Sequence, residues 1–244
     1  MIAIFKREMR SYFTTSIGYI FLCVILIMSA VVLGLTTYMV KSSDTGMYFS
    51  IMLFVMMLML PVLTMRTFSE EKKTRTEQLL LTAPISTTQM VLGKFLSCFC
   101  MLIIALLINC INFIPLFTYA DTTSSAVTSV PPNVAMIIGN LFAIILVGMS
   151  FIAIGIFISS LTENQFAAVV ITMATLLFFL VVGVFNGMIS SKVIRTVLGW
   201  LSIYSRYTNF TYAVFDIGAL IYYISISFVF LFLTVRVFES RKYN

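Results

Sequence analysis

Six long apolar runs divide the chain, and short polar intervals separate them. The runs cover residues 17–40, 47–65, 95–119, 134–160, 166–189 and 217–238. A helix needs roughly 20 apolar residues to cross the hydrocarbon core of a bilayer, and each run meets that length. Barrel strands would instead alternate apolar and polar positions over about 10 residues. The runs here are continuously apolar, so the pattern predicts an all-α integral membrane protein with six transmembrane helices in a single domain, 1–244.

The intervals differ in kind. Residues 1–13 interleave Lys6, Arg7 and Arg10 with Ile2, Ile4, Phe5, Met9, Tyr12 and Phe13, the pattern of an N-terminal interfacial helix. The run that follows is too long for the core of a signal peptide. Residues 41–46 read as a tight polar turn, and Pro61 falls where it could loosen the last turn of the second span. Residues 120–133 are a Ser/Thr-rich loop with Pro131 and Pro132. Residues 190–216 mix four charges with Trp200, Tyr204, Tyr207, Phe210, Tyr212 and Phe215. Such an aromatic stretch suits an external interfacial or re-entrant segment.

Composition removes the soluble alternative. With 61% hydrophobic and 10% charged residues, and a mean hydropathy of +1.08, there is too little polar surface to cover a globule. The net charge of +6 reads as topology and contact with anionic membrane lipids. No basic stripe with interleaved aromatics lies outside the spans, so no nucleic-acid partner is expected. Of the 15 basic residues, only Lys41, Lys192, Arg195 and Arg206 fall on the side opposite the termini. That bias predicts a multi-pass protein with both termini cytoplasmic, and the expected membrane is the cell inner membrane.

The spans carry little chemistry. Every Asp, Glu, Lys and Arg is expected in a loop or at a span end, which argues against a proton-coupled carrier or a charge-lined channel. Cys23, Cys98, Cys100 and Cys110 lie in apolar runs, and the chain has no histidine, so zinc binding and disulfides are not expected. The methionine-rich second span reads as adaptable packing rather than a copper site. No catalytic, cofactor-binding or metal-binding residue is assigned. Asn109 and Asn112, three apart on one helix face, either bond across a helix interface or line a translocation path. Gly148 and Gly155, with Ser159, share a face on which small residues let helices approach closely.

Residues 66–94 form the longest polar interval. Thr67-Phe68-Ser69-Glu70 fits a capping box, with Thr67 as N-cap and Glu70 reaching back. Leu79, Leu80 and Leu81 add an apolar patch, and Pro84 marks a stop. The interval is either a solvated connector or a helix that docks a cytoplasmic partner. Leu92-Gly93-Lys94-Phe95 is not the end of a phosphate-binding loop: Thr88 stands where its first glycine belongs, and Phe95 where a Ser or Thr must hold magnesium. Energy for any work must come from another chain.

The stretch F-S-E-E-K-K-T-R-T-E-Q-L-L-L-T-A-P-I-S, followed by V-L-G-K-F, resembles the cytoplasmic loop of type-2 ABC-transporter permeases. It is most similar to the small six-span group related to the gliding-motility permease. The opening F-K-R-E-M-R-S-Y-F-T-T-S-I-G-Y-I and the later N-F-T-Y-A-V-F-D-I-G-A-L-I-Y-Y also resemble that group. The resemblance implies a coupling helix that contacts a separate ABC ATP-binding subunit. Carried over by position, the coupling residues are Glu70, Glu71, Lys72, Thr76, Glu77, Leu79, Leu80 and Pro84. Arg75 stands where the family often has glycine, and Gln78 where it has glutamate, with Glu77 one place earlier. The resemblance also implies a dimer with a second permease chain, identical or homologous. ATP and magnesium would be bound by the partner subunit and no cofactor by this chain. The expected cargo is amphipathic (a lipid, peptide or drug) and the expected direction is export. The alternative is a non-transporting membrane scaffold for a cytoplasmic complex.

Overall fold

The computed structural model describes residues 1–39, 45–74, 86–117, 133–185, 199, 202–211 and 216–243. All its regular elements are helical: α1 (Ile2–Thr14), α2 (Ser16–Leu33), α3 (Gly46–Thr64), α4 (Arg66–Lys73), α5 (Thr87–Asn109), α6 (Val134–Leu161), α7 (Gln165–Phe185), α8 (Ile203–Thr211) and α9 (Ile217–Tyr243). A π-helical turn, Gly34–Tyr38, continues α2, and a 3-10 turn, Cys110–Phe113, continues α5. Six of these helices are long and apolar enough to cross a membrane. The fold is an all-α bundle, as the pattern of apolar runs predicts.

The helix bounds differ from the apolar runs in one instructive place. α5 begins at Thr87, eight residues before the apolar run that marks the third span. Ser86 caps it by accepting a hydrogen bond from the Gln89 amide, so its first two turns belong to the interval that reads as a loop. On the other side, α4 follows α3 after the single turn residue Met65. Pro61 sits inside the last turn of α3, and the helix runs past it, with the Met65 amide bonded to the Pro61 carbonyl.

The core forms around α6. Of its apolar stretch, 72% is buried, against 22% for α7 and for α9. It packs against α3, α4, α5, α7, α8 and α9, which identifies it as the central post. Its small residues make that possible. A Cβ on Gly155 would overlap Thr64 Oγ1, and one on Gly148 would overlap the end of Leu102. The shared face of Gly148, Gly155 and Ser159 is therefore turned toward α3, α4 and α5.

The two ends of the bundle are distinct. α1, α4, the start of α5, the end of α6 and the end of α9 converge at one end. There Phe68 packs on Phe238, with ring centroids 4.6 Å apart. Arg241 donates to the Ser160 carbonyl at 3.1 Å. At the opposite end α8 lies over α6 and α7, and Tyr223 of α9 donates to the Ile203 carbonyl at 2.9 Å. Tyr207 donates to Asn140 Oδ1 at 3.5 Å.

Candidate coupling site at one end of the bundle

α4 is a short amphipathic helix held against the bundle. Thr67, Phe68 and Ser69 are buried, whereas Lys73 is exposed. The first turn of any helix has amide donors without intrahelical partners. In α4 those of Phe68 and Ser69 both reach Ser159 Oγ of α6, at 3.2 Å each. Ser159 Oγ in turn donates to the Met65 carbonyl at 3.0 Å. The expected capping box is overturned. No side chain of α4 caps the helix; Thr67 Oγ1 turns back to the Thr64 carbonyl at 2.7 Å. Glu70 pairs instead with Arg66, at 2.6 Å. The reason is that α4 does not start from an extended N-cap residue: Met65 keeps helical dihedrals.

Beside it lies a buried ion cluster. Lys94 of α5 is 1% exposed, so its ammonium must be compensated inside the protein. It is paired with Glu71 of α4 at 2.8 Å and with Glu8 of α1 at 3.4 Å. It also donates to the Thr67 carbonyl and lies over the Phe68 ring, 4.8 Å from the centroid. Arg7 closes the cluster with contacts of 2.8 Å to Glu8 and 2.9 Å to Glu71. Burial lowers the affinity of Arg7 for its proton, but the hydrogen bond and charge of Glu8, with those of Glu71, outweigh it, so its pKa stands above the ordinary value. Two cations and two carboxylates from three helices thus form a neutral knot.

The coupling residues carried over from the resemblance therefore divide. Glu71 points into this knot, Glu70 is bound to Arg66 beside it, and Lys72 lies on the partly exposed part of α4. Thr76, Glu77, Leu79, Leu80 and Pro84 lie outside the described residues.

The other candidate pair lies at the opposite end. Asn109 donates to the Tyr48 hydroxyl at 3.0 Å. Asn112 donates to Ser29 Oγ and to Asn109 Oδ1, both at 3.0 Å. Ser29 and Tyr48 close the ring at 2.9 Å. This circuit joins α2, α3 and α5 and satisfies polar groups that hydrocarbon could not. The asparagines thus sit in a helix interface.

Residues 61–242 match the family described as ABC-2 family transporter protein. The chain belongs to that family. The match begins at Pro61 in α3, takes in Glu71 of α4 and Lys94 of α5, and runs to Lys242 in the last turn of α9. No curated protein matches the chain. As an ABC-2 permease it is the multi-pass membrane component of a transporter and not the ATPase; the family implies a partner ATP-binding subunit in general.

In this permease the sequence reading missed Arg7, Glu8 and Lys94. A signal for Lys94 was present: Ser86-Thr87-Thr88-Gln89 is itself a capping box. It starts a helix at which Lys94 is already in the second turn, facing the neighbours of α5.

Proposed function

We propose that this permease is coupled to its ATP-binding subunit through the 67–84 segment and exports an amphipathic cargo such as a lipid, peptide or drug. The end of the bundle that carries α1, α4 and the end of α9 faces the cytoplasm, and the membrane is the cell inner membrane. The observation that supports coupling at this place is the neutral knot. Because Glu71, Lys94, Glu8 and Arg7 bind α4 to α5 and α1, and Ser159 binds it to α6, α4 cannot shift without displacing three helices. Closure of an ATPase around ATP and magnesium, bound in the partner subunit, would push the segment and bias the bundle between two arrangements. Such a shift needs contacts that differ between the two states. Two permease chains, identical or homologous, would face two ATPase subunits. Within α4, Glu70 is the more exposed acidic residue, and a partner's cation would compete for it with Arg66; Glu71 is engaged inside. Glu77, with Thr76, Leu79, Leu80 and Pro84, would complete the docking surface, and the one transmembrane domain would carry no cofactor of its own.

The test is purification of the tagged protein from its native membrane in gentle detergent, with ATPase activity measured in the eluate. An ABC ATPase should accompany the wild type and be lost from the Glu70→Lys/Glu77→Lys variant while the permease stays folded. A well-folded preparation without ATPase would leave the scaffold reading. Stimulation of the ATPase in the reconstituted complex by amphipathic compounds tests the cargo class, and a rate indifferent to all of them would refute it.

A further inference from the structure

α1 has three faces, and the contacts above account for the inward one. Ile4, Glu8 and Tyr12, at four-residue spacing, turn into the protein; Ile4 and Tyr12 are buried and Glu8 enters the knot. Lys6, Arg7 and Arg10 form an exposed basic face. Ile2, Phe5, Met9 and Phe13 form the third face, apolar and incompletely covered, with Ile2 77% exposed.

This third face borders an open apolar groove. Met1, Ile2 and Phe5 of the N-terminal segment line one wall, and Leu96, Phe99, Cys100 and Ile103 of α5 line the other. The α5 residues fall at spacings of three, four and seven, one continuous strip of that helix. The groove encloses about 310 Å³, near the lower bound of about 300 Å³ for small-molecule sites. That volume suits a stretch of one hydrocarbon chain rather than a whole lipid. At its rim, Lys6 lies one residue after Phe5 and four after Ile2, and Arg10 follows one turn later. Neither is paired with a carboxylate among the described residues.

We infer that this groove is a binding site for an anionic phospholipid, with one acyl chain between α1 and α5 and the phosphate headgroup held by Lys6 and Arg10. The purely apolar lining excludes a polar ligand from the interior. Lys6, next to Phe5 in the chain, and Arg10, one turn on, are exposed and unpaired among the described residues, and they select for negative charge at the level of the headgroups. Each basic residue near an anionic surface contributes about 1 kcal/mol, or about fivefold in binding. The site does not depend on how the ATPase docks, and its test does not read ATPase activity.

The experiment places a tryptophan in the groove, Phe5→Trp in a Trp200→Phe background, and reconstitutes the protein in phosphatidylcholine nanodiscs. Leu96→Trp is the second reporter should the first fail to fold. A minor fraction of phosphatidylglycerol or of phosphatidylcholine, each brominated on its acyl chain, is added, and quenching is compared at equal bulk fraction. Brominated phosphatidylglycerol should quench well beyond its bulk share. Lys6→Gln/Arg10→Gln should abolish that excess while leaving quenching by brominated phosphatidylcholine unchanged. Equal quenching by the two lipids would mean ordinary annular contact and overturn the inference. Absence of quenching by either would mean that protein, such as a second copy of the chain, covers the groove, and would overturn it as well.

Discussion

Removing the charge of Lys94 should destabilise the bundle more than any surface change. Lys94→Met keeps the length and apolar stem of the side chain but deletes the ammonium, and with it the contact over the Phe68 ring, from a cluster of two cations and two carboxylates. The carboxylates of Glu8 and Glu71, each 16% exposed, are then left with Arg7 alone, which is 53% exposed. Taking one partner out of a buried ion pair typically costs about 3–5 kcal/mol, because a buried charge is left uncompensated. Arg7 and partial solvent access should keep the loss near the lower figure, about 3 kcal/mol. For a chain of this size that corresponds to a fall in Tm of about 6–12 °C. The assay is thermal unfolding of the detergent-solubilised protein, followed for Lys94→Met, Glu71→Gln and the double variant. The double variant leaves Arg7 and Glu8 as a balanced pair, so it should be more stable than the sum of the single losses predicts, by about 1–2 kcal/mol. Strictly additive losses would refute the view that Lys94 and Glu71 act as one unit.

Ser159→Ala deletes the hydroxyl that receives two α4 amides, and should cost about 1–3 kcal/mol by leaving buried donors unsatisfied; hydrogen exchange at Phe68 and Ser69 should rise, and unchanged protection would refute the capping role. Gly155→Ala should be worse than Gly148→Ala, by about 1–2 kcal/mol within the usual overpacking range. Its methyl meets the stiff, hydrogen-bonded Thr64, whereas Gly148 faces the rotatable end of Leu102; equal unfolding temperatures would count against it. Asn109→Leu breaks two circuit bonds, the one to Tyr48 and the one from Asn112, and leaves Asn112 bonded to Ser29, so a loss of about 1–3 kcal/mol is expected for two membrane hydrogen bonds. A loss several times larger, measured by the same unfolding assay, would assign the asparagine a further role.

How much of this was readable in the sequence depends on the range of the physics involved. The six spans were legible because continuous apolarity is a local property, and any run of about 20 such residues has few alternatives. The packing face of Gly148, Gly155 and Ser159 was legible because helical spacing projects it directly. The knot was not. Lys94 adjoins a polar interval, and its burial arises from Glu8, 86 positions earlier, and from Glu71 on a different helix; no local pattern encodes that meeting. The Thr67 capping box failed for a related reason. The motif describes a helix that starts from an extended residue, but Met65 keeps the chain helical, and Ser159 supplies from 90 residues away the acceptor that a local side chain would have provided. The asparagines were recognised as a pair, but their partners Ser29 and Tyr48 belong to helices that spacing along α5 cannot name.

The central position of α6 bears on how the protein is made. A chain emerging in order has inserted α2, α3 and α5 before α6 exists. Throughout that interval Thr64 and Leu102 have no glycine surface to rest on, and the amides of Phe68 and Ser69 must be served by water at the membrane edge. α6 arrives late and closes all of these openings together, with Gly155 at Thr64, Gly148 at Leu102 and Ser159 at the two amides. The first half made alone therefore lacks these contacts, and the entry of α6 is the step that locks its helices into one bundle.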